Sequence, residues 1–314
     1  MKVDLTSGFA YLSRKNKFLS IPILGLICIT FYFNSFAIAE GLDRGFIYSK
    51  QLSELSTDRR VIIDTRSAWK YFIGHIPDSV NLSDWRDFTE KEGVPGILIK
   101  NKTEIAKKLS ALGIDKSKEI IIYGDPLDPW RIDGRIYWML EFYGFSNLYL
   151  LDGGVDQWSQ SGGAISRGKQ FDTVTTSLQA EDILFNWNIS ADKNWIKQRL
   201  GSANLAIIDN RIEKEYKGST PYGSPRGGHI PGAKHIDWRD FFNQQGQLKS
   251  KPELLSILNK NGIQDGMEVV VYCTGGVRSA MAYFVFKYLG FPVRNYDGSW
   301  WDWSQDLDMP IENS

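Results

Sequence analysis

The chain has 314 residues, 42% of them hydrophobic and 24% charged, with 37 Lys and Arg against 37 Asp and Glu. At ~150 residues per domain this length predicts two domains, and the balanced charge argues against both a disordered chain and a nucleic-acid-binding protein, which carries a basic excess. Three histidines and two cysteines are too few for a Cys/His zinc site of the usual spacing or for a disulfide framework.

Residues 1–17 carry Lys2, Arg14, Lys15 and Lys17 against Asp4, and residues 18–39 carry no charge. A basic flank, an apolar core and small residues at Ala37 and Ala39 read as a signal peptide over 1–39. An uncleaved anchor is the rival, because the uncharged run reaches the ~20 residues that span a bilayer. Pro22 and the polar pair Asn34-Ser35 weaken it. Cys28 follows Ile27 and not a small residue, so it does not read as a lipidation site. An exported chain cut there keeps one cysteine, Cys273. An unpaired thiol in that setting suggests a reactive group, against the alternative of an inert buried one.

Beyond residue 40 the chain repeats itself once. VIIDTR at 61–66 returns as AIIDNR at 206–211, GHIP at 74–77 as GHIP at 228–231, and DWRDF at 84–88 as DWRDF at 237–241. IIIYG at 120–124 returns as VVVYC at 269–273, and LLDGGVDQW at 150–158 as NYDGSWWDW at 295–303. Asp64 and Asp209 lie 145 residues apart, as do Trp158 and Trp303. This is the duplication of a whole domain, since a solenoid repeats every ~20–50 residues. The predicted units are 40–160 and 183–314, with the polar stretch 161–182 as linker.

Within each unit the short apolar runs VIID, IIIY, LYLL, AIID and VVVY predict strands buried on both faces, as in a parallel sheet. The stretches 134–144 and 279–290 predict helices, each ending at a glycine. The fold class is therefore α/β, two tandem units, each a mostly parallel sheet flanked by helices.

In the second unit a strand over 269–272 runs into Cys273-Thr274-Gly275-Gly276-Val277-Arg278 and then a helix from Ser279. Ligands of open α/β sheets bind at the carboxyl ends of strands. A loop opening a helix points N–H groups inward, and the dipole favours a thiolate. Two glycines let the backbone wrap the sulfur, and Arg278 adds a cation. The stretch predicts an anion-cradling loop with a nucleophile at its base.

Over about residues 45–310 the chain resembles the tandem-domain rhodanese family of sulfurtransferases. The resemblance rests on D-x-R in both copies (Asp64/Arg66, Asp209/Arg211), the two GHIP turns, the loop CTGGVR and YDGSWWDW at 296–303. It implies that Cys273 takes sulfur from a small anionic donor such as thiosulfate. The resulting persulfide is passed to cyanide or a thiol, without metal or organic cofactor. The first copy, with Gly124 at the position of Cys273, is implied to be non-catalytic and to help form the cleft. Related enzymes use 3-mercaptopyruvate, and a persulfide-carrier role is a further alternative.

Thiosulfate-using members have a basic residue where this chain has Glu215 and another where it has Gly275, and Arg278 replaces a usual threonine. The anion site is therefore expected to draw on Arg211, Arg278 and Arg226, with Glu215 facing the cleft and repelling the donor. Replacing Glu215 by arginine is then expected to strengthen use of thiosulfate. Asp209 and Arg211 have an alternative role as a pair bracing the strand end. Trp300 is expected to wall the cleft, with Trp301 and Trp303 as core aromatics.

His75 and His229 recur in both copies and read as structural, and His235 stands alone. Asp152-Gly153-Gly154 lacks G-x-G-x-x-G and reads as a turn. Asn81, Asn101 and Asn188 open glycosylation sequons, relevant only in a eukaryotic host. A cysteine-dependent phosphatase or arsenate reductase would need five residues between cysteine and arginine, and here there are four. The expected location is the periplasm, with membrane contact only through the N-terminal segment if it is retained.

Overall fold

The computed structural model describes residues 45–169 and 175–313. The N-terminal signal or anchor segment, Cys28 and residues 170–174 of the expected linker lie outside the described residues.

The apolar runs form two parallel five-stranded sheets with matching strand order. The first contains β1 (Phe46–Ile47), β2 (Arg60–Asp64), β3 (Ser79–Asn81), β4 (Glu119–Tyr123) and β5 (Leu148–Leu151), in the order β1-β5-β4-β2-β3. The second contains β6 (Ser190–Ala191), β7 (Leu205–Asp209), β8 (Lys234–His235), β9 (Glu268–Tyr272) and β10 (Val293–Tyr296), in the order β6-β10-β9-β7-β8. The central strands are buried on both faces, which is why they read as unbroken Ile and Val runs and not as an alternation.

Pairing brings Asp64 beside Tyr123 and Asp209 beside Tyr272. Each tyrosine hydroxyl donates to the neighbouring aspartate at 2.6 Å. The aspartate holds the arginine two residues on, Arg66 or Arg211, at 2.6 Å. That arginine in turn donates to the carbonyl of Gly74 at 2.6 Å or Gly228 at 2.7 Å. The two copies build the same brace, so D-x-R holds the strand end to the GHIP turn.

In that turn His75 and His229 stack on Tyr71 and Tyr216, with ring centroids 3.8 Å apart in each. His235 bonds the carbonyl of Arg211 through Nε2 at 2.7 Å. The segment between the sheets is docked on the first half. His75 and Ser166 exchange backbone bonds, Thr176 and Leu178 donate to Ser110, and Leu184 and Asn186 donate to the carbonyls of Tyr143 and Phe142.

Helix Ile132–Phe142 of the first half packs on helix Arg278–Leu289 of the second. Gly134 permits the close approach, since a Cβ there would lie 2.7 Å from the Met281 backbone. Around the crossing, Glu141 receives Lys287 at 2.6 Å and Tyr283 at 3.1 Å, and Phe284 meets Phe46 and Tyr137 edge-on. One cluster of buried apolar side chains therefore runs through both halves. The second helix ends where Gly290 takes φ 93°, as its glycine predicts.

Candidate active site

Strand β9 ends at Tyr272, Cys273 follows, and the chain enters helix Arg278–Leu289 five residues later. The cysteine is 1% exposed and sits at the floor of a cavity of about 250 Å³. The turn after β10 holds its backbone. Ser299 Oγ accepts the Cys273 N–H at 3.1 Å, the Trp300 N–H reaches the Cys273 carbonyl at 3.1 Å, and the Trp301 N–H reaches that of Thr274 at 2.9 Å. Ser299 adopts φ 51° in this turn. Gly275 has to be glycine, because a Cβ there would come within 2.3 Å of the Trp301 ring.

Burial pushes the Cys273 thiol up. The Arg278 guanidinium, the N–H and hydroxyl of Ser279 and the N–H of Gly275 outweigh it, so the thiol lies below its ordinary value. Ser279 Oγ stands 3.6 Å from the sulfur and 2.7 Å from Asn295 Oδ1. The loop thus stabilises a negative sulfur with N–H groups at a helix N-terminus and a buried cation, as its sequence predicts.

The anion site differs from the sequence expectation. Glu215 does not line the cleft. It is 1% exposed and clasps Arg278 at 2.7 Å and 2.9 Å, while Thr274 donates to it at 2.6 Å. Burial opposes the Arg278 charge, but Glu215 and the thiolate hold the guanidinium firmly ionised. Trp130 and Tyr222 pack over that guanidinium at 5.5 Å and 5.6 Å. The local charge is therefore an internally neutralised pair beneath the sulfur.

Arg211 and Asp209 do not line the cavity. They form the brace described above, and the Arg211 guanidinium lies 4.5 Å from the Trp300 ring. Arg226 is not a donor ligand either. Its guanidinium caps the carbonyls of Trp303, Ser304, Asp306 and Met309 at the end of helix Ser299–Gln305.

Trp303 is a core aromatic as expected, but the roles of Trp300 and Trp301 are exchanged. Trp300 is 1% exposed and bonds the Arg226 carbonyl at 2.9 Å, whereas Trp301 lines the cavity. Of the loop itself, Cys273, Thr274, Gly275, Val277 and Arg278 line the cavity. Gly276 turns its carbonyl to Arg135 of the first half at 3.1 Å.

The first half supplies the facing wall through Trp85, Arg86, Trp130 and Ile132, and the second adds Tyr222. Sequence reasoning missed all five. The repeated DWRDF was a signal for Trp85 and Arg86, but it does not say which copy meets the cleft. Trp238 is as buried as Trp85, but neither it nor Arg239 lines this cavity. The first copy's equivalent loop carries no cysteine. Gly124 follows β4, and Asp133 takes the helix position that Ser279 has in the second copy. A Cβ at Gly124 would lie 3.2 Å from the Asp133 carboxyl carbon. Among the described residues, no group of three or more His, Cys, Asp or Glu could hold a metal ion, and no helix is long and apolar enough to cross a membrane.

The rhodanese-like domain matches the chain twice, over residues 49–161 and 192–306. A thiosulfate sulfurtransferase of Azotobacter vinelandii is 30% identical over 264 residues, 83% of this chain and 93% of that protein. A sulfur carrier protein of Thermus thermophilus is 32% identical over 258 residues, 77% of this chain and 86% of that protein. Among solved structures, a 3-mercaptopyruvate sulfurtransferase of Escherichia coli superposes with a TM-score of 0.71 at 24% identity, covering 81% of this chain and 98% of that one. An anaerobic ergothioneine biosynthesis enzyme of Chlorobium limicola superposes with a TM-score of 0.73 at 23% identity, covering 86% of this chain and 70% of that one. At these identities the two structures show a shared fold.

Proposed function

The chain belongs to the rhodanese-like family, and from that premise we propose that it is a sulfurtransferase carrying sulfane sulfur on Cys273. The observation that carries this reading is the thiol itself. It is buried at a strand-to-helix loop, held below its ordinary pKa, and opens onto a cavity walled by both halves. The thiolate attacks the outer sulfur of thiosulfate, the S–S bond of the donor breaks, and sulfite leaves with the electron pair. The persulfide that remains is an anion in the same cradle, so the N–H groups of Gly275 and Ser279 serve both states. An acceptor such as cyanide then takes the outer sulfur as thiocyanate, and the thiolate is restored. The chemistry as written needs no cofactor.

Thiosulfate is the first donor to test, because it is named for several relatives at about 30% identity. A singly charged donor such as 3-mercaptopyruvate is the second reading. Neutralisation of Arg278 by Glu215 favours it, since a dianion gains less from a paired cation. Intact-mass measurement after incubation with each donor tests both readings. One added sulfur on the wild-type chain and none on Cys273→Ser is expected, and no adduct with either donor would refute the reading. Multiple turnover with cyanide separates an enzyme from a carrier.

The basic flank and uncharged run of residues 1–39 support export to the periplasm, by a cleaved signal or a retained anchor. Fractionation with N-terminal sequencing of the mature chain checks this. A cytosolic chain beginning at residue 1 would contradict it.

A further inference from the structure

One side chain of the first half, Arg135, hydrogen-bonds the backbone of the Cys273 loop. It lies in the first turn of helix Ile132–Phe142 and is 0% exposed. Its guanidinium joins three segments. Nη1 donates to the Gly276 carbonyl at 3.1 Å and to Asp297 Oδ1 at 2.7 Å, and Nη2 donates to the Gly96 carbonyl at 2.6 Å. The other Asp297 oxygen accepts the Leu98 N–H of the first half at 2.8 Å. The rings of Trp85 and Trp138 flank the guanidinium at 5.3 Å and 5.1 Å.

Gly276 lies between Gly275, whose N–H faces the sulfur, and the helix that presents Ser279 to it. Asp297 begins the turn whose Ser299, Trp300 and Trp301 hold the backbone of Cys273 and Thr274. The loop and the turn that scaffolds it are thus tied to each other and to the first half at a single planar cation. Arg fits this position because its fork offers several donors in fixed directions, which an ammonium cannot match.

We propose that Arg135 is a positioning residue for the Cys273 loop. Through it, the half without a nucleophile sets the geometry of the N–H groups that stabilise the thiolate. The proposal rests on Cys273 being the reactive thiol, and alkylation reads that thiol whether or not the protein transfers sulfur.

The test uses Arg135→Ala, Arg135→Lys and Asp297→Asn in the full chain. The readouts are the pH profile of iodoacetamide alkylation at Cys273 and the split of sulfur-transfer kinetics between kcat and KM. In Arg135→Ala and Arg135→Lys the alkylation midpoint is expected to move to higher pH. kcat is expected to fall on the order of 100-fold, the loss typical of a reacting group misplaced by about 1 Å, with KM changing less. Lysine keeps the charge but loses the fork. A Lys variant with the wild-type profile would therefore show that Arg135 acts by charge alone and would overturn the proposal. A folded Ala variant with wild-type profile and kcat would overturn it equally. Should the Ala variant fail to fold, Arg135→Lys decides. A wild-type profile in it refutes the proposal whatever Asp297→Asn shows, and a raised midpoint in it supports the proposal.

Discussion

Glu215→Gln isolates the charge that distinguishes this loop. The substitution is isosteric and keeps an oxygen for Arg278 or Thr274, but it removes the carboxylate that now clasps Arg278 at 2.7 Å. Thr274, the neighbour of Cys273, bonds Glu215 directly at 2.6 Å. Two unit charges ~7 Å apart at an effective dielectric of ~20 act on each other with ~2.4 kcal/mol, which sets the scale of the effect. A negative carboxylate disfavours a thiolate, so its removal leaves Arg278 unopposed and the thiol pKa falls further. Alkylation rate against pH should show a lower midpoint, and the KM for thiosulfate should fall at low ionic strength. Breaking one partner of a buried pair costs ~3–5 kcal/mol, with the amide keeping the loss near the lower end, so thermal unfolding should come earlier. A midpoint unchanged or higher in a folded variant would refute the electrostatic account. Glu215→Arg, attractive from sequence alone, would instead bury two guanidinium groups against each other and should fail to fold or unfold at much lower temperature.

Cys273→Ser should abolish sulfur transfer while unfolding within ~1.5 kcal/mol of wild type, since the change conserves volume; thiocyanate formation by the purified variant would count against Cys273. The wild-type thiol should alkylate with a midpoint below the ~8.5 of a free cysteine, the direction that Arg278 and the loop N–H groups impose. Gly124→Cys should acquire no persulfide, because the new thiol would face the Asp133 carboxylate where Cys273 faces Ser279; mass analysis of Gly124→Cys combined with Cys273→Ser checks this. Arg226→Ala should lose at least ~2 kcal/mol in denaturant unfolding, by leaving helix-end carbonyls uncapped, without moving the Cys273 alkylation profile. A profile that does shift would return Arg226 to the site.

The duplication, the parallel sheets and the nucleophile loop were all legible in the sequence, because each is written in contiguous residues. Strands buried on both faces announce themselves as unbroken Ile and Val runs. Cys273 to Arg278 carries its own strand end, glycines and helix start within six positions, so its chemistry needs no distant partner to be recognised. What tertiary structure decided were the directions of side chains and the contacts between residues far apart in the chain. Glu215 lies 63 residues from Arg278, and no local pattern says that the two close on each other. Arg211 reads in sequence either as a site cation or as a brace with Asp209, and the structure makes it the brace, while Arg226, which looks free, spends its donors on four helix-end carbonyls. Trp300 and Trp301 are adjacent, and the turn at Ser299 sends one into the core and the other to the cavity. Trp85, Arg86 and Trp130 reach the cavity from the first half, whose central helix Gly134 lets approach that of the second. The first half thereby becomes a wall of the cleft through packing that no single repeat encodes.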